Sequence, residues 1–367
     1  MESQCSPSIV LLIICTILIG FSWIGAMAKP QFTAMYVFGD SLSDPGNNLY
    51  FHITATKSNY FPYGIDFHDG PTGRFCNGKL IVDFLAELVG LPILPAYENP
   101  STNGENILFG VNYASSAAGI LDESGSNFGH RFPLSEQIQN FKNTLNQLRN
   151  QMEEDEISKY LANALVLMAI GSNDYINNYL MPQIFKSSHL YSPGDFADLL
   201  IKQYAGYLLE LHNLGLRKFY LVGNPPYGCT PFQLSIGHAP PGQCISSSNN
   251  IVEMFNSRLK SLVLRLNSNF QDSQFVFGPS FQWFFELRDN PFAYGLKVTD
   301  KGCCSYGPKN LELLCLPSQI PCANRDQYLF WDSAHPTQAV NQIIAQWAYN
   351  GSFSNAYPRN IQQMAQM

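Results

Sequence analysis

Five short apolar runs, separated by stretches of helical periodicity, constrain what this chain can fold into. Met35 to Phe38, Ile107 to Tyr113, Ala164 to Ile170, Phe219 to Val222 and Phe275 to Phe277 are brief and rich in β-branched or aromatic residues, which predicts strands. Leu80, Phe84, Leu85 and Leu88 recur at helical spacing, with Asn77 as the expected cap and Gly90 as the stop. The same period runs through Leu134 to Leu148, Phe196 to Leu211, Ile251 to Leu266 and Ala339 to Trp347. Strands that alternate with helices predict parallel pairing, because parallel neighbours need crossovers, and right-handed crossovers lay helices on both faces. The expected fold is α/β: a three-layer α/β/α sandwich on a mostly parallel five-stranded sheet.

Composition limits the function. The 367 residues are 46% hydrophobic and 13% charged, so the chain folds around a large core rather than staying disordered. With 21 Lys and Arg against 28 Asp and Glu, the net charge of -7 and the lack of any basic run argue against a nucleic-acid partner. No internal repeat or low-complexity linker divides the chain, and residues 29–367 are expected to form one domain. Its oligomeric state is not legible.

The N-terminus points to export. Ile9 to Ile24 are apolar apart from small groups and lead into Ala26-Met27-Ala28, a small-x-small pattern that predicts a signal peptide over residues 1–28. The rival reading is an uncleaved anchor, for which the run is slightly short. Seven cysteines follow this leader. Cys229 and Cys244 bracket a Pro/Gly-rich loop, and Cys303, Cys304, Cys315 and Cys322 fall within 20 residues, so three loop-stapling bridges are expected, with Cys76 left free. The spacing does not decide the partner of Cys303. No paired C-x-x-C with matching histidine spacing exists, so neither a metal nor another cofactor is expected. Asn350-Gly351-Ser352 is a glycosylation sequon that suits secretion, with Asn350 as the acceptor.

In open parallel sheets, ligands sit beyond the carboxyl ends of the strands, at the point where strand order reverses. Three polar clusters fall where that rule places chemistry: Gly39-Asp40-Ser41, Gly171-Ser172-Asn173-Asp174, and Asp332 with His335 ahead of the last helix. Ser41 alone reads as a helix cap. With Asp332 and His335 it reads as a nucleophile, since an imidazole can take the hydroxyl proton near neutral pH and a carboxylate can hold the imidazole's tautomer. Acyl transfer also needs donors for the oxyanion. Asn173 is the candidate side chain, although it could equally serve an Asx turn. Backbone N–H groups of Ser41 and of the Ala114 to Gly119 stretch are the other candidates.

Four ordered blocks then resemble the plant-type GDSL esterase/lipases of the SGNH hydrolase superfamily. They are Gly39-Asp40-Ser41-Leu42-Ser43-Asp44-Pro45-Gly46-Asn47-Asn48, Gly110-Val111-Asn112-Tyr113-Ala114-Ser115, Gly171-Ser172-Asn173-Asp174-Tyr175 and Asp332-Ser333-Ala334-His335-Pro336-Thr337. The resemblance implies a flavodoxin-like sandwich and metal-free hydrolysis of carboxylic esters. It makes Ser41 the nucleophile, His335 the base, Asp332 its orienting acid, and Asn173 with backbone N–H groups the oxyanion hole. The chain departs once from the pattern. The second block's usual glycine, five residues after its asparagine, is Ala117 here, which is expected in the oxyanion hole and would tolerate a positive φ poorly.

An acyl ester, lipid or polyester is therefore the expected substrate, cleaved by a secreted esterase or lipase without stable membrane insertion. The alternatives are an extracellular acyltransferase using the same residues, and a non-catalytic lipid- or glycoside-binding protein of the same fold. Phe281, Trp283, Phe284 and Phe285 could line an acyl pocket or belong to the core.

Overall fold

Strand order explains how both faces of the central sheet come to be buried. The structure is a computed structural model that describes residues 29–237, 239, 240, 242–307, 313–352 and 354–367. Strands β1 (Met35–Gly39), β2 (Gly110–Asn112), β3 (Leu165–Ala169), β4 (Lys218–Val222) and β5 (Gln274–Gly278) pair in the order β2-β1-β3-β4-β5, parallel throughout. The chain moves one way from β1 to β2 and the other way through β3, β4 and β5. Right-handed crossovers therefore place the helix between β1 and β2 on one face and the later crossover helices on the other.

The packing follows. Helix α1 (Ile81–Leu88) packs on the face carrying Met35, Val37, Leu167, Tyr220 and Val276. Helices α2 (Leu134–Arg149), α3 (Glu154–Ala162), α4 (Pro193–Asn213) and α5 (Ser246–Asn269) cover Tyr36, Phe38, Met168, Leu221 and Phe277 on the other. After β5 the chain returns to the first face as α6 (Ser280–Asp289), α7 (Gln338–Asn350) and α8 (Ile361–Ala365). Successive strand residues point to opposite faces, so burial on both sides demands the continuous apolar runs seen in the sequence.

The differences from expectation have local causes. The segment Ile107 to Tyr113 narrows to three paired residues because Gly104–Ile107 forms a 3₁₀ turn first. Gly110 enters the ladder at a φ of 110°, where an added Cβ would lie 1.8 Å from the Met35 carbonyl oxygen. The other strands keep their predicted places to within a residue at each end. Asn77 does not cap α1: its Oδ1 accepts from the Gln338 N–H (2.8 Å) and its amide donates to Asp66 (2.7 Å), tying this loop to the start of α7. The cap is Asp83, whose carboxylate accepts from the Leu80 N–H at 2.8 Å. Gly90 does end the helix: its N–H reaches the Glu87 carbonyl and that of Leu91 the Ala86 carbonyl, the paired bonds of a Schellman turn. The last large helix starts at Gln338, capped by the Thr337 hydroxyl, with Pro336 just outside it, and the short α8 still follows.

Several elements carry little signal. Helix α3 opens on Glu153, Glu154, Asp155 and Glu156, a polar start that suits the positive end of a helix, and its apolar stripe is a single short one, Ile157, Tyr160 and Leu161. Strands β6 (Val298–Gly302) and β7 (Tyr328–Phe330) form a separate two-stranded parallel pair, and β6 is polar and half-exposed.

Among the described residues three disulfides form, Cys229–Cys244, Cys303–Cys322 and Cys304–Cys315, and Cys76 is a free, buried thiol. Among the described residues no helix is long and apolar enough to cross a membrane. The expected leader, with its cleavage position after Ala28, lies outside the described residues.

Candidate active site

Ser41 sits at the end of β1, where strand order reverses between β1 and β3. Gly39 allows the close approach: a Cβ there would meet the Ala169 carbonyl oxygen at 2.9 Å and the Ser43 Cβ at 3.0 Å. Buried Gln137 from α2 grips this peptide on both sides, accepting from the Gly39 N–H (2.9 Å) and donating to its carbonyl (2.8 Å). The chain then folds back tightly. Asp40 accepts from the Leu42 N–H through Oδ1, and its carbonyl accepts from the N–H groups of Ser43 and Asp44. Ser41 is left half-buried at the tip of the turn.

The loop after β7 brings the partners. Asp332 Oδ1 accepts from the backbone N–H groups of Ala334 (2.9 Å) and His335 (2.8 Å), an Asx-type turn that curls the histidine back over its own carboxylate. His335 Nδ1 lies 2.9 Å from both Asp332 oxygens, and His335 Nε2 lies 2.8 Å from Ser41 Oγ. With the carboxylate against Nδ1, that nitrogen carries the proton and Nε2 is the free acceptor. Tyr63, fully buried, donates to Asp332 Oδ2 at 2.7 Å. Burial alone would push the Asp332 carboxyl up. The His335 ring, its hydrogen bond, the Ala334 N–H and the Tyr63 phenol outweigh that and hold it below the usual carboxylate range.

The same motif blocks build a second feature. Asp44 accepts from the N–H groups of Gly46 (2.8 Å), Asn47 (2.7 Å) and Ser116 (2.9 Å). Asn48 Oδ1 accepts from the Ser115 hydroxyl and the Ser116 N–H, while its amide donates to the Ser116 carbonyl. At the other end of this loop, Asp174 accepts from the N–H groups of Ile120 (2.8 Å) and Leu121 (2.9 Å) and from the Ser124 hydroxyl (2.7 Å). The segment from Ser115 to Ser124 is thus clamped at both ends by buried carboxylates. Burial pushes Asp44 and Asp174 up to about 6, against the pull of these donors. It does the same to Asp40, where the Leu42 N–H and His335 oppose it.

Between the clamps lies Ala117, at a φ of +68°. The position demands the left-handed conformation that glycine adopts freely, and alanine fills it at a cost of roughly 1–2 kcal/mol. The N–H groups of Ser41 and Ala117 have no acceptor among the described residues. Asn173 donates one amide hydrogen to the Ala118 carbonyl (2.8 Å) and accepts from Asn177 through Oδ1, which leaves its second N–H available. Asn177 owes its place to an irregular π-type turn, with φ and ψ of -119° and 26°.

Ser41, His335, Ala117 and Asn173 line one cavity of about 380 Å³, walled further by Phe232 and Leu313. Phe284 also borders it, whereas Phe281 and Trp283 are buried in cores on opposite faces of the sheet, so the aromatic run serves mainly as core. Phe232 belongs to the loop closed by Cys229–Cys244, and its N–H donates to the Ser333 carbonyl at 2.9 Å. Asn350 is exposed at the end of α7, well placed as a surface sequon. Among the described residues no group of three or more His, Cys, Asp or Glu side chains is arranged to hold a metal ion.

The fold brings Ser41, His335, Asn173 and Ala117 to one cavity, with Asp332 behind His335. Sequence reasoning did not find Tyr63 and Gln137, which lie outside those blocks, or the clamping roles of Asp44, Asn48 and Asp174, which lie inside them.

Comparison with known proteins agrees with this arrangement. Residues 35–348 match the model of the GDSL-like Lipase/Acylhydrolase family. GDSL esterase/lipase At5g08460 of Arabidopsis thaliana is 49% identical over 92% of this chain and 88% of its own. GDSL esterase/lipase At1g71250 is 49% identical over 90% and 88%, and GDSL esterase/lipase 7 is 46% identical over 97% and 99%, both from the same plant. A match of this extent, with three of the four motif blocks lining one cavity and the second leading into it at Ser116 and Ala117, places the chain in the GDSL-like lipase/acylhydrolase family.

Proposed function

We propose that this protein is a secreted serine esterase or lipase that cleaves carboxylic esters through an acyl-enzyme on Ser41. The observation that carries the reading is the 2.8 Å contact of Ser41 Oγ with His335 Nε2, backed by Asp332 and facing unengaged N–H donors. Ser41 Oγ attacks the ester carbonyl carbon as its proton passes to His335 Nε2, and Asp332 stabilises the imidazolium through Nδ1–H. The N–H groups of Ser41 and Ala117 and the Asn173 amide receive the oxyanion. Collapse breaks the bond to the alkoxide oxygen, which takes the proton from His335. Water, deprotonated by the same nitrogen, then releases the acid. The hydrophobic leader, three disulfides and the exposed Asn350 sequon support passage through an oxidising, extracellular route.

The test is hydrolysis of p-nitrophenyl acyl esters by secreted protein, with fluorophosphonate labelling mapped to Ser41. Turnover that survives Ser41→Ala unchanged removes Ser41 from the mechanism.

A further inference from the structure

One segment presents a residue to each of the two groups behind Ser41. Tyr63 and Phe75 stand near opposite ends of a stretch that folds back on itself: the Gly64 N–H donates to the Cys76 carbonyl at 2.9 Å and the Asp66 N–H to the Asn77 carbonyl at 2.7 Å. Arg325 grips this stretch through two bonds to Asp66 (2.7 and 2.9 Å), and Arg74, next to Phe75, is tied to Asp83 of α1 by two more (2.8 and 2.9 Å). The Tyr63 phenol is committed to Asp332. Phe75 meets His335 instead, with ring centroids 4.9 Å apart and planes inclined at 32°, nearer to stacked than to edge-on. Tyr63 packs edge-on against Phe75 at 5.7 Å, which limits the freedom of the phenyl ring.

We propose that Phe75 is a positioning residue for the catalytic base: its π face holds the imidazole in line with Ser41 and stabilises the positive charge that His335 gains on taking the hydroxyl proton. The inference rests on the ester-hydrolase reading above. An aromatic face carries negative potential and attracts a cation within about 6 Å of its centroid, most strongly where water is excluded. His335 and Phe75 are only 7% and 3% exposed, so little water screens the pair. The neutral imidazole gains packing from the phenyl ring, whereas the imidazolium gains the charge interaction as well. Only an interaction that strengthens toward the transition state speeds the chemical step. Phe75 also lines the catalytic cavity, so packing against substrate is the competing role. The ionisable groups around the imidazole are Asp332 on its own loop and Asp40 beside Ser41. Tyr60, Tyr63 and Cys76 face Asp332 from the segment that carries Phe75, and burial pushes all three up, so they stay neutral near pH 7.

The experiment replaces Phe75 in the secreted full-length protein by 4-fluoro-, 3,5-difluoro- and 3,4,5-trifluorophenylalanine, which withdraw charge from the π face with little change of shape, and adds Phe75→Leu. kcat and KM on p-nitrophenyl butyrate are measured across pH. Asp40, pushed up to about 6 by burial, titrates near the same acid limb, so the His335 imidazole is also titrated directly by NMR in Ser41→Ala backgrounds. Along the fluorinated series kcat should fall stepwise to about a third to a tenth of the wild-type value, with KM within about twofold. The acid limb of kcat/KM and the NMR midpoint should both move stepwise to lower pH, by roughly 0.5–1 unit in all, and Phe75→Leu should match the trifluorinated protein. A flat series overturns the proposal whatever Phe75→Leu does, and a change confined to KM assigns Phe75 to the substrate wall instead. Wild-type protein that cleaves no ester while the NMR midpoint moves along the series refutes the hydrolase reading and leaves the stacking supported. Ester cleavage with an unmoved midpoint refutes the stacking alone.

Discussion

The phenol of Tyr63 donates to Asp332 Oδ2 at 2.7 Å across 269 residues of sequence, so the carboxylate that orients His335 is itself held from a distant loop. Tyr63→Phe keeps the ring packing against Phe75 and Trp331 but removes this donor. A hydrogen bond to a charged group contributes about 1.5–3 kcal/mol, part of which reaches the transition state. kcat should fall about threefold to thirtyfold with KM unchanged, measured on p-nitrophenyl esters. A change confined to KM would place Tyr63 in substrate binding instead.

Ala117 is strained in the left-handed region, and Ala117→Gly should relieve it. The expected gain is about 1 kcal/mol, a rise in Tm of roughly 2 °C by thermal denaturation. kcat should hold or increase, because the N–H that faces the cleft is retained. A lower Tm would mean that the methyl contacts stabilise more than the conformation costs.

Asn173 shares its amide between Ala118 and the cleft, with Asn177 holding its oxygen. Asn173→Ala should cost about a hundred- to a thousandfold in kcat. Asn177→Ala, which frees the orientation but leaves the donor, should cost less, on the order of tenfold. If Asn177→Ala proved as damaging as Asn173→Ala, Asn177 would be a donor in its own right.

Burial pushes Asp40, Asp44 and Asp174 up to about 6. A carboxyl whose folded pKa is raised binds more protons folded than unfolded. Its contribution to stability is fully present below about pH 4 and is lost as pH rises through about 6. Asp332, held low, works the other way: its contribution is present above about pH 4 and is lost as pH falls through its lowered folded pKa. Tm should therefore drop between about pH 4 and pH 6.5. Asp40→Asn keeps the Leu42 turn through Oδ1 and should flatten part of that slope. An unchanged slope in this variant would assign the pH dependence to the other two carboxyls.

Cys229–Cys244 closes a span of 15 residues that includes Phe232 at the cleft wall. Replacing both cysteines by serine should lower stability by about 3 kcal/mol through unfolded-state entropy. It should also raise KM, since the wall loosens. Denaturant unfolding and steady-state kinetics read the two effects separately.

Much of the architecture was legible because both-face burial leaves a simple mark: five apolar runs too short for helices, separated by clear helical periods. The polar β6 was not legible, since it acquires its structure from its neighbour rather than from a pattern of its own, and the acidic α3 carries only the one-turn stripe of Ile157, Tyr160 and Leu161. Asn77 illustrates the limit. Its position before a helix looked like a cap, but its Oδ1 accepts from the Gln338 N–H 261 residues away, at the start of α7.

The site divides in the same way. By itself the sequence determined which groups can do acyl chemistry, because Ser41, Asp332, His335 and Asn173 sit at strand ends or helix starts where a parallel sheet exposes them, and side-chain chemistry is intrinsic to residue type. Only the tertiary structure decided that Ala117 takes a positive φ, that Asp44, Asn48 and Asp174 clamp the loop around it, and that Tyr63 and Gln137 brace the two ends of the site. Those roles depend on distances between segments far apart in the chain, and such distances exist only once the sheet has closed and the loops have packed on it.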